Sequence, residues 1–196
     1  KEAKIKTKAV VDSQNYFPSD AGIASSAAAF SALALAASRA AGLNLSLKEL
    51  SILARLGSGS ACRSVVDGFA WWKKGTSSAT SYAVQLAPPH YWDLVDIVAV
   101  VSHEEKKASS TVGHEGAVSS PYFRWRLKEL PARIGRMKEA ILKKNFSGFG
   151  ELVEEEAVDL HLIAMTSKPP IFYWNEGTVQ VMNAIRQWRE EGLRGY

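Results

Sequence analysis

With a single cysteine, Cys62, the 196-residue chain excludes an internal disulfide and any zinc site built from several thiolates. Cys62 itself reads as a small packed side chain. The four histidines, His90, His103, His114 and His161, lack metal-ligand spacing and read as structural or solvent-facing. No apolar run approaches the roughly 20 residues that span a bilayer, because serines and Arg39 interrupt the alanine-dominated stretch Ala21–Ala41. The opening Lys1-Glu2-Ala3-Lys4-Ile5-Lys6 is unlike a signal sequence, so a soluble cytoplasmic protein is expected. Also missing are the Gly-x-x-x-x-Gly-Lys-Ser/Thr phosphate loop, the dinucleotide Gly-x-Gly-x-x-Gly fingerprint and the Gly-x-Ser-x-Gly nucleophile elbow. Without that elbow, Ser119 or Ser120 beside a histidine makes no hydrolase triad. The net charge of +4 comes from basic residues interleaved with acidic ones, without a basic-aromatic stripe, which ranks nucleic-acid binding last.

The basic excess lies early. Residues 1–88 hold ten Lys/Arg against five Asp/Glu, which favours an anionic ligand there. Ala3 to Val11 alternates charged and uncharged residues and predicts a strand, whose Lys4, Lys6 and Lys8 could line a solvated edge. Alanine and leucine from Ala24 to Ala41 predict a helix that Gly42 ends. Ser46 with Glu49 is a capping box opening a second helix to about Leu56. Val65 to Trp72 suits a buried strand, with Gly68 at a bulge or a close backbone approach. Lys73–Ser78 is a surface turn and Pro88-Pro89 a domain boundary. Leu94–Val101 predicts a strand buried on both faces. Beyond it the chain is largely helical. Ser120-Pro121 opens one helix that Pro131 breaks or kinks, with Ala132–Lys144 following; Ser147 opens another through Met165, and Asn175 a last one ending at Gly192. The run Glu154-Glu155-Glu156 reads as a wet helix face.

Two stretches suggest chemistry. Pro18 to Ala29 is a small-residue loop entering an alanine-rich helix. It places Gly22, Ser25, Ser26 and free backbone N–H groups where the helix dipole favours phosphate. Gly57-Ser58-Gly59-Ser60-Ala61-Cys62-Arg63-Ser64 has too many small residues for a good helix and too few apolar ones for a strand, so it reads as a second ligand-facing loop. Taken singly, the alanine-serine run could be a tightly packed helix and Arg63 an ordinary salt-bridge partner. Together they suggest a nucleotide or phosphate site with a second ligand-facing loop.

Pro18-x-x-x-Gly22-Ile23-Ala24-Ser25-Ser26-Ala27-Ala28 resembles the phosphate-loop motif of the GHMP small-molecule kinase superfamily. Paired with Gly57–Ser64, it is similar to the superfamily branch that decarboxylates mevalonate 5-diphosphate. Val101-Ser102, Lys106-Lys107, Ser109–Gly113, Pro131-Ala132-Arg133 and Pro169-Pro170-Ile171 extend the resemblance in one order from Asn15 to about Ile185. It implies an α+β, GHMP-type two-domain fold, with residues 1–88 as the remainder of the N-terminal ATP-binding domain and 89–196 as a partial, mostly helical C-terminal domain. The activity implied is ATP-dependent phosphorylation of the substrate's 3-hydroxyl, then loss of phosphate and carbon dioxide to give isopentenyl diphosphate.

By the same resemblance, Arg63 and Ser26 are catalytic, and Ser58, Gly59, Ser60, Arg63 and Ser120 hold substrate in a cleft between the domains. Gly22, Ile23, Ala24, Ser25, Ser26 and Ala27 hold ATP, with Ser26 also on magnesium. Arg124 is a candidate substitute for an arginine that some family members carry after the serine at 120, where this chain has Pro121. A homodimer is implied, with no membrane or nucleic-acid partner. The family's tyrosine- and lysine-bearing N-terminal segment and its catalytic-aspartate segment are expected outside residues 1–196, so Glu176 is not assigned as the base. Two other readings stay open: a superfamily kinase that phosphorylates mevalonate or its phosphate without decarboxylation, and a non-catalytic ligand-binding fragment.

Overall fold

The computed structural model describes residues 8–17, 24–102 and 110–196. The chain divides into two units, Lys1–Asp93 and Leu94–Tyr196.

In the first unit, small residues set the packing. Helix α1 (Ser25–Ala40) contacts α2 (Leu47–Gly57) and the single turn α3 (Ala61–Ser64). Ala34, Ala54 and Ala61 form the buried seam, joined by Leu53 and Val65. Alanine is both a strong helix former and short enough for close helix approach. Gly42, at φ 71°, ends α1 as expected: its N–H donates to Arg39 O, and the Leu43 N–H donates to Ser38 O at 2.9 Å. The predicted capping box opens α2, Ser46 Oγ accepting from the Glu49 N–H while the Ser46 N–H donates to Glu49 Oε2.

A two-stranded antiparallel sheet follows, β1 (Phe69–Trp72) with β2 (Ala83–Ala87). The strand expected from Val65 is confined to its last four residues, because α3 and its C-terminal turn occupy the segment before it. Gly68 makes the predicted close approach. Its φ is +70°, a Cβ there would lie 2.5 Å from Ala87 O, and the ladder is irregular between Phe69 and Ala70. The expected strand Ala3–Val11 lies partly outside the described residues. Lys8–Val11 has no regular structure, and Val10 is 98% exposed.

In the second unit, Leu94–Val101 is a correction: the segment forms no strand, and Val95 and Ile97 are more than four-fifths exposed. An apolar run is a strand only when another strand accepts its N–H and C=O groups, and the sheet of the described residues contains β1 and β2 alone. The helices are α4 (Ser110–Gly116), α5 (Phe123–Leu142), α6 (Phe146–Met165) and α7 (Glu176–Glu190). Asn145 and Asn175 cap α6 and α7 through their side chains.

Helix α5 is continuous through Pro131, so of the break or kink expected there the break does not occur. Proline forfeits a backbone bond and crowds the preceding turn, but arginines on either side of it tie α5 to α6. Arg126 pairs with Glu156, and Arg133 pairs with Glu155, Glu156 and Asp159. The run Glu154-Glu155-Glu156 keeps the wet face expected of it, its side chains 36–44% exposed, and each also takes an arginine: Glu154 takes Arg189 at 2.7 Å, and the other two clamp α5. Its charge was visible, whereas the partners lie 22 to 35 residues away.

Candidate functional site

The two small-residue stretches meet within the first unit. Ser26 stands in the first turn of α1, and its Oγ is 3.2 Å from Ser58 Oγ; Ser58 Oγ is in turn 3.3 Å from Ser60 Oγ. Three hydroxyls thus form a chain between the start of α1 and the turn leaving α2. Ser26 is exposed and Ser58 and Ser60 are half-buried, so the row faces outward. Ala24 precedes α1 in the left-handed region at φ 50°, an uncommon conformation for a residue with a Cβ, and among the described residues no side chain caps the helix. That leaves donors at the positive end of α1 beside the hydroxyls. Gly22 and Ile23 lie outside the described residues; Ala24, Ser25 and Ala27 occupy the cap and first turn, with Ala27 buried.

Gly57–Ser64 was expected to be a loop throughout. Instead Gly57 closes α2, residues 58–60 form a turn, and Ala61–Ser64 is a helical turn whose N–H groups are taken by the Ser58, Gly59 and Ser60 carbonyls. Burial of Ala61 and Cys62, both fully inaccessible, favours helix despite the small-residue composition. This turn fixes Arg63. Its guanidinium is exposed, no carboxylate among the described residues pairs with it, and it lies over the Trp72 ring at 5.8 Å from the centroid. The salt-bridge alternative for Arg63 finds no support there, and an exposed unpaired guanidinium on an aromatic shelf suits a carboxylate ligand.

Sequence reasoning missed the supports of this turn. Ser51, fully buried on α2, donates to Cys62 O at 2.9 Å and accepts from the Ala83 N–H at 2.8 Å, tying α2, α3 and β2 at one atom. Arg55 donates to the Ser81 and Ser78 carbonyls and to Ser78 Oγ, holding the loop between the strands. Their spacing from Arg63 carries no local signal, since each acts through a residue 11 or more positions away. Cys62 is a core residue as expected. Burial pushes its thiol up, away from the thiolate a nucleophile needs.

Ser120 lies in the second unit, just ahead of α5, and is 5% exposed. Its Oγ is 2.7 Å from Thr166 Oγ1 and accepts from the Tyr122 N–H; Thr166 Oγ1 also donates to Leu162 O. His161 packs on Trp174 with ring centroids 4.4 Å apart, and burial holds it below the ordinary imidazole range, a structural role. Among the described residues no His/Cys/Asp/Glu cluster could hold a metal ion, and no helix is long and apolar enough to cross a membrane.

Residues 1–83 match the family model for the diphosphomevalonate decarboxylase-like N-terminal domain, and residues 96–193 match that for the mevalonate 5-diphosphate decarboxylase C-terminal domain. The diphosphomevalonate decarboxylase of Debaryomyces hansenii is 39% identical over 180 residues, which are 89% of this chain and 46% of that protein. The human enzyme of the same name is 36% identical over 191 residues, covering 95% of this chain and 47% of its own length. Crystalline mevalonate diphosphate decarboxylase from Staphylococcus aureus superimposes with a TM-score of 0.81 at 37% identity, over 89% of this chain and 54% of that one. MDDEF in complex with MVAPP, AMPPCP and magnesium does so with a TM-score of 0.84 at 38% identity, over 93% and 57%. The chain spans about half the length of the curated relatives it matches.

Proposed function

From the premise that the chain belongs to the diphosphomevalonate decarboxylase family, with the mixed helix-and-sheet GHMP kinase fold of its relatives, we propose that it serves the ATP-dependent decarboxylation of mevalonate 5-diphosphate. In that reaction the 3-hydroxyl is phosphorylated, then phosphate and carbon dioxide leave together to give isopentenyl diphosphate. The observation that carries the reading is the row Ser26–Ser58–Ser60 beside an Arg63 with no carboxylate partner among the described residues.

Each residue then has a role set by its chemistry. Arg63 orients the carboxylate that is expelled, by a charge-assisted bidentate contact. Ser58 and Ser60, with the Gly59 backbone between them, donate to substrate oxygens. Ser26 meets the transferring phosphate, while the Gly22–Ala27 backbone and Ser25 face the ATP phosphates at the positive end of α1. An exposed hydroxyl without a carboxylate cluster among the described residues fits a magnesium ion that arrives on ATP, Ser26 adding one neutral oxygen to the phosphate ligands. Such an ion neutralises phosphate charge. Ser120 is assigned to substrate, its engaged hydroxyl exchanging Thr166 for a substrate oxygen.

Residues 1–88 belong in this reading to the ATP-binding domain and 89–196 to the C-terminal domain of a cytoplasmic homodimer; light scattering tests the dimer. The reaction is tested by counting ADP, phosphate and carbon dioxide from mevalonate 5-diphosphate together. Equal release of all three is expected. ADP without carbon dioxide would establish the kinase alternative, and binding without turnover the non-catalytic one.

A further inference from the structure

We infer that Trp72 is a positioning residue for the carboxylate-binding arginine, holding Arg63 in its working geometry. The inference rests on the decarboxylase reading for what Arg63 binds; the placement of Trp72 is independent of it. The indole is fixed first. Trp72 closes β1, and its Nε1–H donates to Ser81 Oγ at 2.9 Å, while Arg55 of α2 takes the Ser81 carbonyl. The ring is thus pinned from the loop between the strands, and that loop is pinned to the helix leading into the turn.

Two groups rest on the pinned ring. The Arg63 guanidinium lies over it at 5.8 Å from the centroid. On the same ring, the six-membered edge comes within 3.5 Å of where a Cβ on Gly59 would stand, so the ring also backs the turn between Ser58 and Ser60. Arg63 is exposed and lacks a carboxylate partner among the described residues, so a free guanidinium there would sample many rotamers. An aromatic face restricts those rotamers without neutralising the charge, which an acidic partner would do. The arrangement keeps the arginine ordered and still available to a carboxylate.

The experiment measures binding of mevalonate 5-diphosphate and of isopentenyl diphosphate, which lacks the carboxylate, to the protein and its variants by calorimetry, with thermal unfolding as a check on folding. For Trp72→Leu, affinity for the carboxylated ligand should fall about threefold, the scale of one exposed cation–π contact, with little change for isopentenyl diphosphate. Trp72→Phe keeps a ring and should restore most of the loss. In an Arg63→Gln background, Trp72→Leu should cost nothing further, a coupling that a merely structural tryptophan would not produce. If Trp72→Leu weakens both ligands equally, or adds its full effect in the Arg63→Gln background, the inference is overturned. Should Trp72→Leu fail to fold, Ser81→Ala, which only unpins the indole, must weaken the carboxylated ligand selectively or the inference is likewise overturned. Failure of the unsubstituted protein to bind mevalonate 5-diphosphate would instead overturn the decarboxylase reading itself, and with it the role given to Arg63.

Discussion

Arg133 in the second unit gives its guanidinium to Glu155, Glu156 and Asp159, whereas Arg63 in the first has no carboxylate among the described residues. Arg133 is 5% exposed and joins two helices; Arg63 is exposed on a one-turn helix and rests on an indole. The same side chain is structural where its charge is spent within the fold and, in the proposed reading, functional where the fold orders it but leaves the charge unspent. The two therefore answer substitution differently.

The largest effect is expected at Arg133. Arg133→Met takes from Asp159 its arginine, while Glu156 keeps Arg126 and Glu155 keeps Arg136, and removing one member of a buried ion cluster costs about 3 kcal/mol. Glu155 and Glu156 keep some contact with water, which holds the value no higher. Denaturant unfolding should show the second unit losing stability, while ligand binding per folded molecule is unchanged. A loss of binding at full folding would erase the contrast. At Arg63 the pattern inverts. Arg63→Gln should lower turnover about 100-fold, the usual scale for deleting one charged contact to a reacting group, and leave unfolding within about 0.5 kcal/mol. Comparable destabilisation by both substitutions would show that Arg63, too, is structural.

Ser51→Ala sharpens the comparison within the first unit. It removes no charge, yet strands the Cys62 carbonyl and the Ala83 N–H in a fully buried place, at a cost of about 2 kcal/mol. Because Cys62 adjoins Arg63, the variant should unfold earlier and also bind the carboxylated ligand more weakly. Thermal unfolding and calorimetry on one preparation separate the two readouts.

What was legible in advance follows from how locally each feature is encoded. Helix ends set by neighbours, such as Ser46 with Glu49, Gly42 after Ala41 and Asn175 with Thr178, stand where the sequence places them. Ser26, Ser58 and Ser60 could be named because each sits in a dense small-residue motif, and the structure brings their hydroxyls together. Leu94–Val101 misled because apolar content encodes burial without supplying the strand that must pair with it. The arginine partners of Glu154–Glu156 and the roles of Trp72 and Ser51 were missed for a related reason. Their meaning lies in partners 9 to 35 residues distant, which no window along the chain contains.

The smallest expected effect concerns pH and separates the two units again. Burial pushes the Glu156 carboxyl up, but hydrogen bonds from Arg126 and Arg133 outweigh it and hold the group below its ordinary value of 4.5. A carboxyl depressed in the folded state stabilises the fold fully above that ordinary value, and the contribution fades as pH falls through the folded one. Stability of α5 and α6 should therefore hold from neutrality to about pH 5 and decline below it. Glu156→Gln should start less stable and decline less steeply, its loss of slope read from unfolding at successive pH values. The Arg63 site contains no such carboxylate among the described residues, so amide exchange should place the onset of acid opening in α5 and α6 before the Ser58–Arg63 turn. Opening that begins at the turn would mean that the Glu156 carboxylate does not govern acid stability, and that the difference between Arg133 and Arg63 lies in burial alone.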